Sequence, residues 1–524
     1  MLARIDQLSQ RDKLALQTLA VLGDEPAADA QEALLATSCP DTSVLLRQRF
    51  LQHSGGGLQF VHALIREVCY GAMLEPQRIA LHRKAATWFK NRDPVLYAQH
   101  LARGKDSAAA IAFLEAARHL QETLRLEEAL DCLKFGLDLA ADDSDRYRLS
   151  LAQGELLLVL ARPQAAIEAF ELAEAMAPDG LAKAAAMLGR AGALRLVDDI
   201  DAALALLDGC APVLEVAKAH AMLSRLEHLR GNLYFPRGEM DACNAAHTKA
   251  LEHAELAGSA ELETQALGGM GDAAYAKGLY VTATRHFTAC IDLARQLSLG
   301  RIELANRPMQ VISRALSGAM GGTLADAERA IGRPALVAPH FEAAQAIVAR
   351  IGARRFEPEN MAFMAEAMRQ KGEIGEAKQL LDCALAICRE TDMSYFGGIV
   401  LAFTALLASD DPPRRRAALE EGERLAHSGL KHNAWFFGCY AIESAVEVRR
   451  PWEIKKFADF FERHFAEEQL PIVEVLVWRG KLLARSLDGI PASELRAEAR
   501  DCRVRIRTLE IEYFARALDK LVDE

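Results

Sequence analysis

The residue types able to do chemistry are numerous in this sequence but scattered. Its 14 His and 10 Cys are spread along 524 residues. A zinc site needs ligands that one helix or one tight turn can present together, and neither a C-x-x-C pair nor an H-E-x-x-H run occurs. His220 with His228, and His247 with His253, lack i, i+4 pairing and have no ordered carboxylates beside them. Cys383 and Cys388 are five apart, which puts them on different faces of a helix. Reduced thiols acting as small core residues are the expectation, in a cytoplasmic protein. Gly104-Lys105-Asp106-Ser107 lacks both the upstream Gly and the hydroxyl directly after Lys that a phosphate loop requires, and no G-x-S-x-G turn is present. The expectation is therefore no catalytic residue, no cofactor, no metal and no enzyme activity in this chain.

What is left to carry function is surface, and composition limits which surfaces it meets. Hydrophobic residues make up 51% and aromatics 6%, a mixture suited to close-packed helices. A net charge of −11 supplies no basic field for nucleic acid or anionic lipid. The first residues, Met1-Leu2-Ala3-Arg4-Ile5-Asp6, are too polar for a secretory signal. The longest uncharged stretch, Met393 to Ser409, has 17 residues and is short for a membrane span, so it is expected to be a buried helix. A protein or peptide partner is expected, with no nucleic acid and no membrane.

The elements that hold the surface repeat. From Gly231, the residues Tyr234, Gly238, Cys243, His247 and Ala250 fall at offsets 3, 7, 12, 16 and 19. From Gly271 the same offsets give Ala274, Gly278, Ala283, Phe287 and Cys290; from Ala365 they give Met368, Gly372, Ala377, Leu381 and Ala384. Anchors at Ala117, Gly154 and Ala191 continue the register upstream, so that successive anchors advance by 37, 37, 40 and 40 residues. A period of this size with two helical segments per unit signals a helical solenoid. The small anchor and the small residue 12 later let two antiparallel helices approach, and the large residue at 16 fills the groove between them. Glycine at offset 7 ends the first helix by entering the left-handed region. These offsets resemble the tetratricopeptide repeat, which implies an all-α fold of tetratricopeptide-type α-solenoid, right-handed and of about ten helix pairs.

The register has limits. Residues 101–300 read as regular repeats and 301–358 as a degenerate unit with an inserted helix and loop, marked by Pro334. Residues 359–430 resume the repeat, with Ala405 and Ala417 on either side of the break Asp410-Asp411-Pro412-Pro413-Arg414, and 431–524 read as an irregular helical cap. Residues 76–100 read as connecting helices. Residues 1–75 do not obey the ruler: helical spacing in Leu14 to Leu22, Ala33 to Leu35 and a segment from Ser43 to Leu51 precedes a three-glycine turn, His53-Ser54-Gly55-Gly56-Gly57-Leu58-Gln59-Phe60. Helices followed by a hairpin and a helix suggest a winged helix. Its second-last helix offers only Arg47 and Arg49, too few cations for DNA.

Ala3-Arg4-Ile5-Asp6-Gln7-Leu8-Ser9, the run Leu16 to Gly23 and above all Phe60-Val61-His62-Ala63-Leu64-Ile65-Arg66-Glu67-Val68-Cys69-Tyr70 resemble the winged-helix segment of bacterial multidomain signalling proteins. In that family a class III nucleotide cyclase or a DNA-binding output domain is joined to an AAA-type STAND ATPase, then to a winged helix and a tetratricopeptide array. Leu81-His82-Arg83 matches the helix leading into the array. His432-Asn433-Ala434-Trp435-Phe436-Phe437, Trp452 and Trp478-Arg479-Gly480 are similar to the closing units of cyclase-linked members. The resemblance implies a sensor and scaffold module whose partner includes an upstream ATPase or cyclase domain. It equally allows the C-terminal regulatory part of an adenylate/guanylate cyclase, or a fragment of a LuxR/MalT-like transcriptional regulator. The ATPase and cyclase parts themselves are absent here, so a truncated member, a split gene product or a fragment is expected.

In a tetratricopeptide unit the first helix lines the concave groove. The positions flanking the anchors there are His228, Asn232 and Phe235 around Gly231, and Gly268, Asp272 and Tyr275 around Gly271. Polar Asn232 and Asp272 beside aromatic Phe235 and Tyr275 make a candidate partner-binding patch.

Overall fold

The computed structural model describes residues 2–23, 28–36, 41–54, 57–317, 354, 357–428, 430–509 and 511–523. The chain divides into two compact units, Met1–Ala217 and Lys218–Glu524. The first opens with α1 (Leu2–Asp6), α2 (Gln10–Leu22), α3 (Ala28–Ala36), α4 (Ser43–Arg47), the hairpin β1 (Leu51–Ser54) and β2 (Gly57–Phe60), and α5 (Ala63–Gly71). Ser9 caps α2, its hydroxyl accepting the Asp12 N–H at 3.1 Å and donating to the Asp12 carboxylate at 2.6 Å. The strands pair antiparallel from Leu51↔Phe60 to Ser54↔Gly57. Buried Gln31 of α3 covers the free edge of β2: its amide donates to the Leu58 carbonyl and accepts the Leu58 N–H, both at 2.8 Å. Leu16, Leu19, Leu45, Phe50 and Ile65 form the core beneath, which runs on into Leu81, Ala85 and Phe89.

One local expectation fails here, and the glycine turn expected at the hairpin lies partly outside the described residues. The segment from Ser43 to Leu51 is not one helix: α4 stops at Arg47, Arg49 turns left-handed at φ 53°, and Leu51 begins β1. Phe50 and Leu51 are consecutive and both buried, which anchors the start of the strand, while Gln52, His53 and Ser54 are exposed. Of the three glycines, Gly57 lies within β2 opposite Ser54, while Gly55 and Gly56 fall outside the described residues.

Helix hairpins follow. In the first unit they comprise α6 (Glu75–Phe89), α7 (Pro94–Arg103), α8 (Ala109–Glu122), α9 (Leu126–Leu139), α10 (Asp143–Val159), α11 (Pro163–Ala175), α12 (Gly180–Leu196) and α13 (Ile200–Val216). The second unit holds α14 (His220–Tyr234), α15 (Met240–Ala257), α16 (Ala260–Ala276), α17 (Tyr280–Gln296) and α18 (Gly300–Leu316). It continues with α19 (Glu357–Lys371), α20 (Ile374–Thr391), α21 (Met393–Leu407), α22 (Pro412–Ser428), α23 (Lys431–Glu447) and α24 (Pro451–His464). It ends with α25 (Pro471–Leu487), α26 (Ala492–Thr508), a short 3-10 turn and α27 (Arg516–Asp523).

The offsets acquire a physical meaning. Position 7 is left-handed in every unit the ruler marks: Gly238, Gly278 and Gly372, but also Leu124, Ala161 and Asp198 at φ between 55° and 59°. The turn geometry is thus imposed by the packing of the helices and does not require glycine. At offset 16 the large residue is a leucine in some units, and where it is a ring, as at Phe170 and His247, it is wedged between successive units. A Cβ on Gly154 of α10 would stand 2.7 Å from the Phe170 ring, and one on Gly189 of α12 only 2.3 Å from it. His247 repeats this between Gly231 and Gly269, where the same distances are 2.5 and 2.3 Å. Each wedge therefore locks three helices, and the glycines are small because the ring is there. The repeated hairpin, the left-handed turn and the inter-unit wedge define an all-α fold of tetratricopeptide-type α-solenoid.

Past residue 317 the sequence and the structure part ways in instructive places. Pro334, with the inserted helix and loop expected around it, lies outside the described residues. Met393–Leu407 is a buried helix, and among the described residues no helix is long and apolar enough to cross a membrane. Ala405 is buried but Ala417 is exposed, because Pro412 and Pro413 restart the helix one residue out of step and bury Ala418 instead. Residues 431–464 and 471–508 are further hairpins. Their turns at Arg449 and Gly489 are again left-handed. Counting back from Arg449, the anchor is Ile442 and the wedge position is Ala458, both buried. Large and small have exchanged places, which hides the repeat from a ruler that looks for a small anchor. Buried ion pairs fix these hairpins: Arg415 with Glu453 at 2.5 Å, and Arg479 with Glu443 at 2.5 Å.

Candidate functional site

The five groove positions lie on α14, its C-terminal cap and α16, which are neighbours in the second unit. His228 and Asn232 are one turn apart and bonded to each other, the Asn232 amide donating to His228 Nε2 at 3.0 Å. The His228 ring also approaches the His247 wedge, with 5.1 Å between centroids. Phe235 is half-buried at the α14 cap. Gly268 serves packing: a Cβ there would stand 2.8 Å from the Asn306 side chain of α18.

Asp272 and Tyr275 sit in a richer environment. Tyr275 stacks on His432 of α23 at 5.9 Å and 21°, and lies 5.5 Å from the Tyr280 ring. His432 Nε2 lies 3.1 Å from the Tyr395 carbonyl and donates to it, leaving buried Nδ1 without a partner among the described residues. Burial holds the His432 imidazole down at about 4, so it is neutral. Asn433 pins the same region by donating to the Ser394 and Tyr395 carbonyls at 2.7 and 2.6 Å.

Two carboxyl groups face this cluster. Burial pushes Asp272 up to about 7, and does the same to Glu359 of α19. Both are half-buried, both act on the Tyr275 hydroxyl, and neither has a hydrogen-bond or ion-pair partner among the described residues. The thiols nearest Asp272, Cys243 and Cys290, are pushed up to about 12 by burial, which makes them inert. Eight of the nine cysteines among the described residues are buried, Cys383 being the exposed one. Among the described residues no group of three or more His, Cys, Asp or Glu could hold a metal. The arrangement offers shape, hydrogen bonding and negative charge to a ligand. Glu359, Tyr395 and His432 join Asp272 and Tyr275 from distant segments, and no local spacing marks them.

No protein-family model matches the sequence, and no curated protein matches it. Solved structures do. A signal-transduction ATPase with numerous domains (STAND) carrying a tetratricopeptide repeat sensor, from Pyrococcus horikoshii, is 14% identical over 81% of this chain and 64% of its own, with a TM-score of 0.44. The chain thus spans 64% of that protein's length. A Rap protein complexed with competence and sporulation factor is 12% identical over 80% of this chain and 97% of its own, with a TM-score of 0.28. Aspartyl phosphate phosphatase F from Bacillus subtilis is 14% identical over 76% and 90%, with a TM-score of 0.29.

Proposed function

We propose that this chain is a non-catalytic protein-interaction, sensor and scaffold module of a STAND-type signalling protein. A protein or peptide ligand binds in the groove of the second unit, at His228, Asn232, Phe235, Asp272 and Tyr275. Residues 1–75 act as a winged helix that transmits the bound state to a nucleotide-dependent switch on another domain, in the cytoplasm. The observation that carries the binding site is the pair Asp272 and Glu359. A half-buried carboxyl without a partner is costly to fold around, and such groups cluster at functional sites. Beside them the Tyr275–His432 stack supplies the aromatic surface favoured at interface hot spots. The helix order before Glu75, with its hairpin, and the run Phe60 to Tyr70 support the signalling context.

Screening the whole chain against an immobilised peptide array, with Asp272→Asn and Tyr275→Ala as controls, tests the site. Binders should lose about tenfold or more in affinity in each variant, as hot-spot truncations do. Binders indifferent to both variants place the ligand elsewhere. The sequence of the gene upstream of Met1 tests the signalling context: the absence of a nucleotide-binding segment both there and in the neighbouring genes would defeat that part.

A further inference from the structure

The first unit carries a second surface of different character. Helices α7 and α9 both pack on α8, and between them runs an open cleft of about 490 Å³. Its floor is Phe113 and Leu120 of α8 with Ala102 of α7. On α9, Phe135 and Leu139 stand one turn apart and remain 58% and 45% exposed. The Phe135 ring leans on Phe113 at 5.9 Å, so floor and rim form one continuous apolar surface. Large aromatic and aliphatic side chains left open side by side mark surfaces that meet a partner.

The charges along this cleft are one-sided. The α9 wall carries Glu128, Asp131 and Asp138, whereas the α7 wall carries one cation, Arg103. Asp131 reaches only Lys134 of its own helix, at 3.2 Å, and Glu128 pairs with Arg125 one turn before it. Asp138 pairs with no cation among the described residues. The walls are 10 and 14 residues long, and a trough between two helices above a third is the shape into which another helix packs ridge into groove.

We propose that this cleft docks an amphipathic helix of a partner protein, with a stripe of large apolar residues at i, i+4 and i+7 laid on the surface that Phe113 and Phe135 form together. Lys or Arg side chains lie along the flank that faces Asp131 and Asp138, and a carboxylate on the other flank meets Arg103. Apolar anchors in the groove supply affinity, and the asymmetric charges fix which way round the helix lies. The proposal is independent of the groove at Asp272.

Fluorescence anisotropy on the whole chain tests it with three labelled synthetic peptides of about 18 residues, a length of roughly 27 Å as a helix. One has the Leu stripe with Lys on one flank and Glu on the other. The second has Glu in place of every Lys, and the third is a scramble of the first with the same charge but no stripe. The first should bind at least about tenfold more tightly than the others, a gap of the size hot-spot anchors confer. Phe135→Ala, and Asp131→Lys with Asp138→Lys, should each weaken it by about tenfold while leaving the melting temperature unchanged, because these side chains are exposed. Equal binding of peptide and scramble, or indifference to both variants, overturns the proposal. So does a dimer in sedimentation that Phe135→Ala dissolves, which would make a second copy of the chain the occupant.

Discussion

The Thr282 hydroxyl donates to the Glu468 carboxylate at 2.8 Å across 186 residues of sequence. The same carboxylate accepts the backbone N–H groups of Val281 at 2.8 Å and Thr282 at 3.1 Å. Leu279, at the N-cap of α17, has no side-chain acceptor, so a residue from the loop after α24 does the work of a cap. It also places a negative charge at the positive end of the helix. Glu468→Ala should therefore cost about 1–2 kcal/mol locally, the worth of a lost N-cap. Hydrogen exchange should quicken at the amides of Val281 and Thr282 and leave α10 and α11 unchanged.

The wedge at Phe170 makes Gly189→Ala disruptive although alanine is the better helix former. Its Cβ would lie 2.3 Å from the ring, so ring or helix must move, at about 1–3 kcal/mol. Phe170→Leu in the same chain should recover part of the loss. Urea unfolding followed by circular dichroism reads both changes.

The left-handed turns predict substitutions of opposite sign. Leu124 is 82% exposed at φ 59°, and Leu124→Gly should stabilise by about 0.5–1 kcal/mol, the relief of strain less the entropy of glycine. Gly278→Ala should destabilise by more than about 1 kcal/mol, because the φ of 76° is strained for alanine and its Cβ would meet the Phe465 ring at 2.8 Å. Midpoints of urea unfolding for the two variants should move in opposite directions.

Much of this was legible. The ruler located the turns and the wedge positions from residue 117 to 290, because each depends on contacts within one or two units. It did not reveal that Leu124, Ala161 and Asp198 adopt the glycine conformation, since nothing in their side chains announces it. Beyond residue 430 it lost the repeat because Ile442 and Ala458 exchange the expected sizes. At the site, Asp272 and Tyr275 follow from their distance to Gly271. His432 reaches them only through the packing of α23 against α16, and Glu359 comes from α19, so both are long-range neighbours with no local signature.

Acid should weaken the first unit. His82 and His100 are buried Nδ1 to Nδ1 at 2.9 Å, with the Tyr70 hydroxyl 2.8 Å from His82 Nε2. Burial, with the second ring beside it, holds His82 down at about 3, and burial holds His100 at about 4. Both sit below the unfolded value of 6.5, so the stability they lend is intact above pH 6.5 and is lost as pH falls towards 4 and 3. His100→Gln should reduce the slope of stability against pH in that window by about one proton. Melting curves taken at intervals from pH 7 to pH 4 measure it.

Asp272 runs the other way. Its carboxyl is raised from 3.8 to about 7, so its contribution is present below pH 3.8 and is lost as pH climbs through 7. Asp272→Asn should match the parent near pH 4 and melt a few degrees higher at pH 8, as relief of a desolvated charge does. An unchanged difference between the two pH values would mean that solvent already reaches the carboxylate.

Because the Phe170 ring is walled by α10 on one side and α12 on the other, the natural seams of this chain do not lie between hairpins in the way a drawing of repeats suggests. A fragment ending after α11 keeps the ring but exposes one of its faces to water, and one beginning at α12 leaves an empty notch beside Gly189. Shortened versions should therefore be designed by removing an interval from one wedge to the corresponding point of the next, so that each ring meets a glycine or alanine of the helix newly brought beside it.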